Sequence, residues 1–92
     1  MRVYGGGSCT ISSEYTITKA VYTFDAAETN KNAGAMGYPN DKFPFNVDKG
    51  SFTMDASGAP VGTWTGSANS VTATRGTGNG HWRIQKIVVT VE

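Results

Sequence analysis

Leucine is absent from this 92-residue sequence, and that absence excludes most helical architectures. No apolar run approaches the roughly 20 residues that a membrane-spanning helix requires. Cysteine occurs once, as Cys9, which excludes an internal disulfide and any cysteine-based metal site. A lone thiol in strand-like sequence reads as a small buried apolar side chain rather than a nucleophile. Histidine also occurs once, so a Cys-His or Ser-His pair would have to use His81, which adjoins a glycine-rich loop and is poorly placed for a catalytic base. Charge of either sign is sparse: eight Lys and Arg against seven Asp and Glu give a net charge of +1. The basic residues are scattered, and no basic stripe of the kind that binds nucleic acid is visible. Met1-Arg2 leads directly into strand-like sequence, without the apolar core of a signal peptide.

Val, Ile, Thr and aromatic residues, with abundant Gly and Ser, supply what is present. These are strand and turn formers, and a chain this short makes one domain, residues 1–92, that buries somewhat over about 60% of its unfolded surface. Arg2 to Tyr4 reads as a short strand. The glycines Gly5 to Gly7 read as a turn or bulge, because no helix start follows them to make a phosphate cradle. Cys9 and Ile11 alternate with Thr10 and Ser12, and Ser12-Ser13-Glu14 predicts a turn that closes a hairpin.

Two eight-residue stretches resemble each other, Ile17-Thr-Lys-Ala-Val-Tyr-Thr-Phe24 and Ile84-Gln-Lys-Ile-Val-Val-Thr-Val91. In each, a leading Ile is followed three residues later by an inward candidate, after which alternation is strict. The inward sets are Ala20, Tyr22 and Phe24, and Ile87, Val89 and Val91. One step of three before steps of two predicts β-bulges near Thr18-Lys19 and Gln85-Lys86. The repeat suggests related β units facing each other across one core, with Val21, Thr23, Val88 and Thr90 pointing away from it.

From Asp25 to about Asn40 no periodicity survives, and a connection of this length reads as a binding loop. Phe45 and Val47 follow as core positions of an edge strand, since Pro44 cannot donate to a central ladder, while Tyr38 and Phe43 are rim candidates. Phe52 and Met54 face inward from another short strand, and Asp55 to Gly58 is a turn. Residues 62–92 read as a β-meander: a short strand, a Gly/Ser/Asn turn at Gly66 to Asn69, a β-branched strand, a glycine-rich loop and a long closing strand. Pairing Ala73 with Ile84 sets Arg75 opposite Trp82 and leaves Gly76 to His81 as a six-residue loop. Trp64, flanked by Gly62 and Gly66, belongs to the core. Trp82 either closes the core at the loop end or lines a groove there with Arg75 stacked on it.

The Arg2-Val3-Tyr4 opening, Thr10 to Ser13, Ile17 to Lys19, Gly62-Thr-Trp-Thr-Gly-Ser67, Ser70 to Thr72 and Arg83 to Val91 together resemble a β module of secreted, multidomain Bacteroidetes proteins. Some such modules are appended to glycoside hydrolases. The likeness covers most of the chain and is weakest from Ala26 to Asp41. It implies an all-β, compact antiparallel β-sandwich of jelly-roll-like form, either trimmed at or lacking a strand on its N-terminal edge. It also implies a secreted or cell-surface parent protein with covalently attached glycanase or surface-protein domains. Ala73 stands where a larger aromatic is common, which would open a pocket beside Trp64. The resemblance supplies no catalytic residue.

The functional expectation is a non-catalytic carbohydrate-binding module for a plant polysaccharide such as a β-glucan. Sugar rings present apolar C–H faces and many hydroxyls, so a site needs an aromatic plane with amide, guanidinium or carboxylate partners beside it. Asn79, His81, Trp82 and Arg83, with Arg75 nearby and Tyr38 and Asp41 as the opposite rim, supply these types. No cofactor, metal, nucleic acid or membrane is expected. The alternative is a structural or adhesion module in which Trp82 is a core lid and the Val21/Val88 face packs against a neighbouring domain. No pair of carboxylates is fixed by spacing for hydrolytic chemistry.

Overall fold

The computed structural model describes residues 2–4, 7–25, 28–30, 35–39, 44–55, 60–75 and 81–92. Eight strands run in chain order: β1 (Arg2–Tyr4), β2 (Ser8–Phe24), β3 (Glu28–Asn30), β4 (Ala35–Met36), β5 (Phe45–Val47), β6 (Ser51–Met54), β7 (Val61–Arg75) and β8 (His81–Val91). Six of them make one antiparallel sheet ordered β1-β8-β2-β7-β5, with β6 also paired to β7, and β3 and β4 make a separate two-stranded ladder. The fold is all-β, as the composition requires.

Two long strands turn this single sheet into a sandwich. The first half of β2 pairs with the second half of β7, from Ser8 opposite Thr74 to Ser12 opposite Ser70. The second half of β2 pairs with the first half of β7, from Ile17 opposite Ala68 to Thr23 opposite Val61. Register breaks between Ser12 and Ile17, so both strands bend there together and carry the sheet round a corner. The turns expected at Ser12 to Glu14 and at Gly66 to Asn69 are therefore bends within continuous strands. Neither chain can reverse at these points, because each half is held by the other half of the same partner. The shortest dimension, 19 Å, suits two layers packed about 10 Å apart with their side chains.

β5 lies on the second-half side of β7 and β6 on its first-half side, so they belong to opposite layers. Phe45 of β5 bridges the gap. Its ring stacks on Phe52 of β6 at 4.0 Å and on Trp82 of β8 at 5.1 Å, and meets Tyr22 of β2 edge-on at 4.9 Å. Cys9, Ile17, Ala20, Tyr22, Phe24, Trp64, Val71, Ala73, Trp82 and Ile84 complete the buried set, with Ile11, Tyr38, Val47, Phe52, Met54, Ala68 and Ile87 packed against it. Ala73 is fully enclosed in this core.

Both expected bulges are present: Thr18 is the extra residue between Ile17 opposite Val91 and Lys19 opposite Thr90, and Gln85 is extra between Phe24 opposite Ile84 and Thr23 opposite Lys86. The repeated stretches do not face each other across the core. They lie side by side, hydrogen-bonded in one layer, because β2 sits between β7 and β8. The same arrangement overturns the meander: β7 has β2 on one edge and β5 and β6 on the other, so no edge of it is left for β8. Residues 25–40 are not featureless, since Glu28 pairs with Met36 and Asn30 with Ala35. Phe43, Gly5 and Gly6, and the expected turn and loop at residues 56–58 and 76–80, lie outside the described residues.

Candidate functional site

At the start of β8, alternation separates core from surface within three residues. Trp82 points inward, while His81 and Arg83 point outward and are half-buried. The Arg83 Nε–H donates to His81 Nε2 at 3.1 Å, which requires that ring nitrogen to be unprotonated. Its Nη1 lies 3.6 Å from Asp25 Oδ2, and 41% and 30% of the two side chains are exposed, so the pair is partly solvated and worth little in stability.

The backbone fixes this cluster more firmly than the side chains do. Asp25 N–H donates to Arg83 O at 2.8 Å, and Arg83 N–H donates to Gly37 O at 2.9 Å. The end of β2, the start of β8 and the segment carrying Tyr38 therefore meet at Arg83. Tyr38 is half-buried against the core, next to buried Gly37 and Pro39. The arrangement offers a guanidinium, an imidazole and a carboxylate, with half-buried Tyr38 in the segment that meets Arg83 through the Gly37 carbonyl.

Two residues expected at the site belong to the interior. Trp82 is fully buried, stacked on Phe45 and edge-on to Phe24 at 6.3 Å. Its indole N–H has no hydrogen-bond partner among the described residues. An indole so enclosed offers no plane to a ligand. Arg75 is also fully buried, and its N–H donates to Gly7 O at 3.0 Å. Burial pushes its guanidinium below its ordinary value. It does not face Trp82 across a hairpin, since Val3 is the residue opposite Trp82 and Phe45 the residue opposite Arg75. Of the remaining expected residues, His81 and Arg83 come together, Tyr38 follows the Gly37 whose carbonyl Arg83 N–H meets, and Asn79 and Asp41 lie outside the described residues.

Asp25 was not among the residues expected at the site. Its partnership with Arg83 follows from β2 pairing with β8, so the signal that could have found it is the complementarity of the two repeated stretches as neighbours.

The outer face of the β2–β8 layer is aliphatic and hydroxylated. Val21 sits opposite both Val88 and Thr63, and Val88 is 47% exposed. Val89 and Val91, on the inward side of β8, are also exposed. Tyr15, at the sheet corner, is the one large aromatic among the described residues that is mostly exposed. Cys9 is buried, and burial pushes its thiol up, away from nucleophilic thiolate chemistry. No group of three or more His, Cys, Asp or Glu converges among the described residues. No family model, curated protein or solved structure matches this chain.

Proposed function

We propose that this chain is a non-catalytic β-sandwich module that spaces or joins larger proteins through its sheet surfaces. The observation that carries this reading is the burial of both tryptophans: Trp64 and Trp82 are fully enclosed. The indole planes that a sugar-binding platform would use have gone into the core, and among the described residues the accessible apolar surface is mostly aliphatic, at Val88, Val89 and Val91, with Tyr15 the one exposed aromatic. β-branched residues on a flat sheet are suited to packing against another protein layer.

A second reading is favoured by the Asp25, Arg83 and His81 cluster beside Tyr38. Charge-assisted donors and a carboxylate next to a phenol ring are the groups a polysaccharide such as a β-glucan would use, at a shallower site than first expected. Affinity electrophoresis against a polysaccharide panel decides between them. The structural module runs unretarded in every glycan, and Arg83→Ala and Tyr38→Ala run with the native chain. Retardation of the native chain that either substitution abolishes would overturn the structural reading and put a sugar on this cluster.

A further inference from the structure

Beyond Arg83, no strand among the described residues pairs with the outer edge of β8, because β1 covers only His81 to Arg83. The other edge strands, β1, β5 and β6, are three or four residues long. From Gln85 to Val91, β8 carries no proline and presents a long edge that no described strand or loop is seen to cover. Within β8 itself, the edge-protecting features are the Gln85 bulge and Lys86, both near its beginning. The stretch that follows has exposed valines on both faces, Val88 outward and Val89 and Val91 inward.

We propose that this edge pairs with the same edge of a second copy of the chain, β8 antiparallel to β8 about a two-fold axis through Val89. This specifies the joining mode of the module proposed above and rests on that reading. In an antiparallel pair about a two-fold axis normal to the sheet, residues directly opposite share a face, so only registers that keep inward residues opposite inward residues are allowed. Of these, the register centred on Val89 is alone in setting Lys86 opposite the partner's Glu92, and symmetry forms that pair twice. It also sets Ile87 opposite the partner's Val91 and Val89 opposite the partner's Val89 on the inward face, with Val88 opposite the partner's Thr90 outside. Lys86 and Glu92 are both exposed and point outward with Val88, so the pairing needs no side chain to change face. The Glu92 N–H donates to Thr16 O at 2.9 Å, which holds that end of β8 on its own sheet while the edge is engaged.

Sedimentation equilibrium of the chain, with charge exchange at the two ends of the contact, tests the pairing. The native chain forms a concentration-dependent dimer. Lys86→Glu and Glu92→Lys each place like charges opposite one another and weaken dimerisation on the order of tenfold, and the double exchange restores it. Both positions are exposed, so the variants keep the native circular dichroism and thermal midpoint. A native chain that stays monomeric to millimolar concentration overturns the proposal, as does a dimer that ignores the single exchanges. Failure of the module reading itself is separate, since it shows as glycan retardation in electrophoresis whatever the state of association.

Discussion

Gly50 has a backbone φ of 69°, in the left-handed region where an L side chain is strained. A Cβ added there would lie 2.5 Å from Thr65 O and 2.6 Å from Trp64 Nε1. That indole nitrogen donates to Lys49 O at 2.6 Å, so the glycine turn both admits the Trp64 ring and supplies its acceptor. Gly50→Ala therefore combines backbone strain with displacement of a buried tryptophan, and we expect it to cost about 2–3 kcal/mol in urea denaturation. A loss below about 0.5 kcal/mol would show that the turn relaxes freely. Gly62 has a related role, since a Cβ there would run into the Phe52 ring. The core assignment of Trp64 was readable because no charged residue adjoins it, although the small residue opposite it is Ala20 of β2 rather than the expected Ala73. For Arg75 and Trp82 the inward face was readable by counting from Val71 and Ala73 and from Ile84, but not the depth. At Trp82 the depth is set by Phe45 arriving from the opposite layer, and at Arg75 by Phe45 pairing beside it, contacts between residues far apart in sequence.

At the scale of strands, spacing carries face and pairing does not. The step of three in Ile17 to Ala20 and Ile84 to Ile87 located both bulges, because an extra residue has to be absorbed if both ends stay inward. Which strand lies beside which was not encoded there: β8 could satisfy the same alternation against β7 or β2, and long-range edge availability decided it. One consequence is counterintuitive. Deleting Gln85 leaves Ile84 and Ile87 inward and makes the ladder with β2 regular, so the fold should survive with a cost of about 1–2 kcal/mol from the lost bend. Deleting Val21, an outward-facing residue of the neighbouring strand, would turn either Tyr22 and Phe24 or Ala20 out of the core, the latter bringing Lys19 inward. Expelling two aromatics at about 3–5 kcal/mol each comes to about 6–10 kcal/mol, a large part of the about 5–15 kcal/mol that holds a domain of this size folded. Urea denaturation and amide dispersion of the two deletions separate them, and a Val21 deletion as stable as the Gln85 deletion would refute the assigned faces.

For the whole molecule, the one core holds two acids that burial keeps neutral. The Tyr22 hydroxyl is pushed up from 10.0 to about 12, first by burial and then by the neighbouring Cys9, and burial raises the Cys9 thiol above 9.0. Above about pH 9 the unfolded chain begins to lose protons that the folded chain retains. The unfolded state then binds fewer protons, and stability must fall as pH rises. The contribution is fully present below the unfolded values and is lost through the window from about pH 9 to about pH 12. For Tyr22 alone, a rise of about two units limits the loss to about 2–3 kcal/mol. Arg75 has the opposite sign, because its lowered value would return stability as it deprotonates, but an arginine holds its proton throughout this window. The expected urea midpoint is flat from neutral pH to about pH 9 and declines steadily above it. Tyr22→Phe removes the Tyr22 part of that slope while keeping the ring stacked on Phe24 and edge-on to Phe45, and Cys9→Ala removes the part that begins lowest. A double variant with an undiminished alkaline slope would mean that the groups opening the fold at high pH lie outside this core.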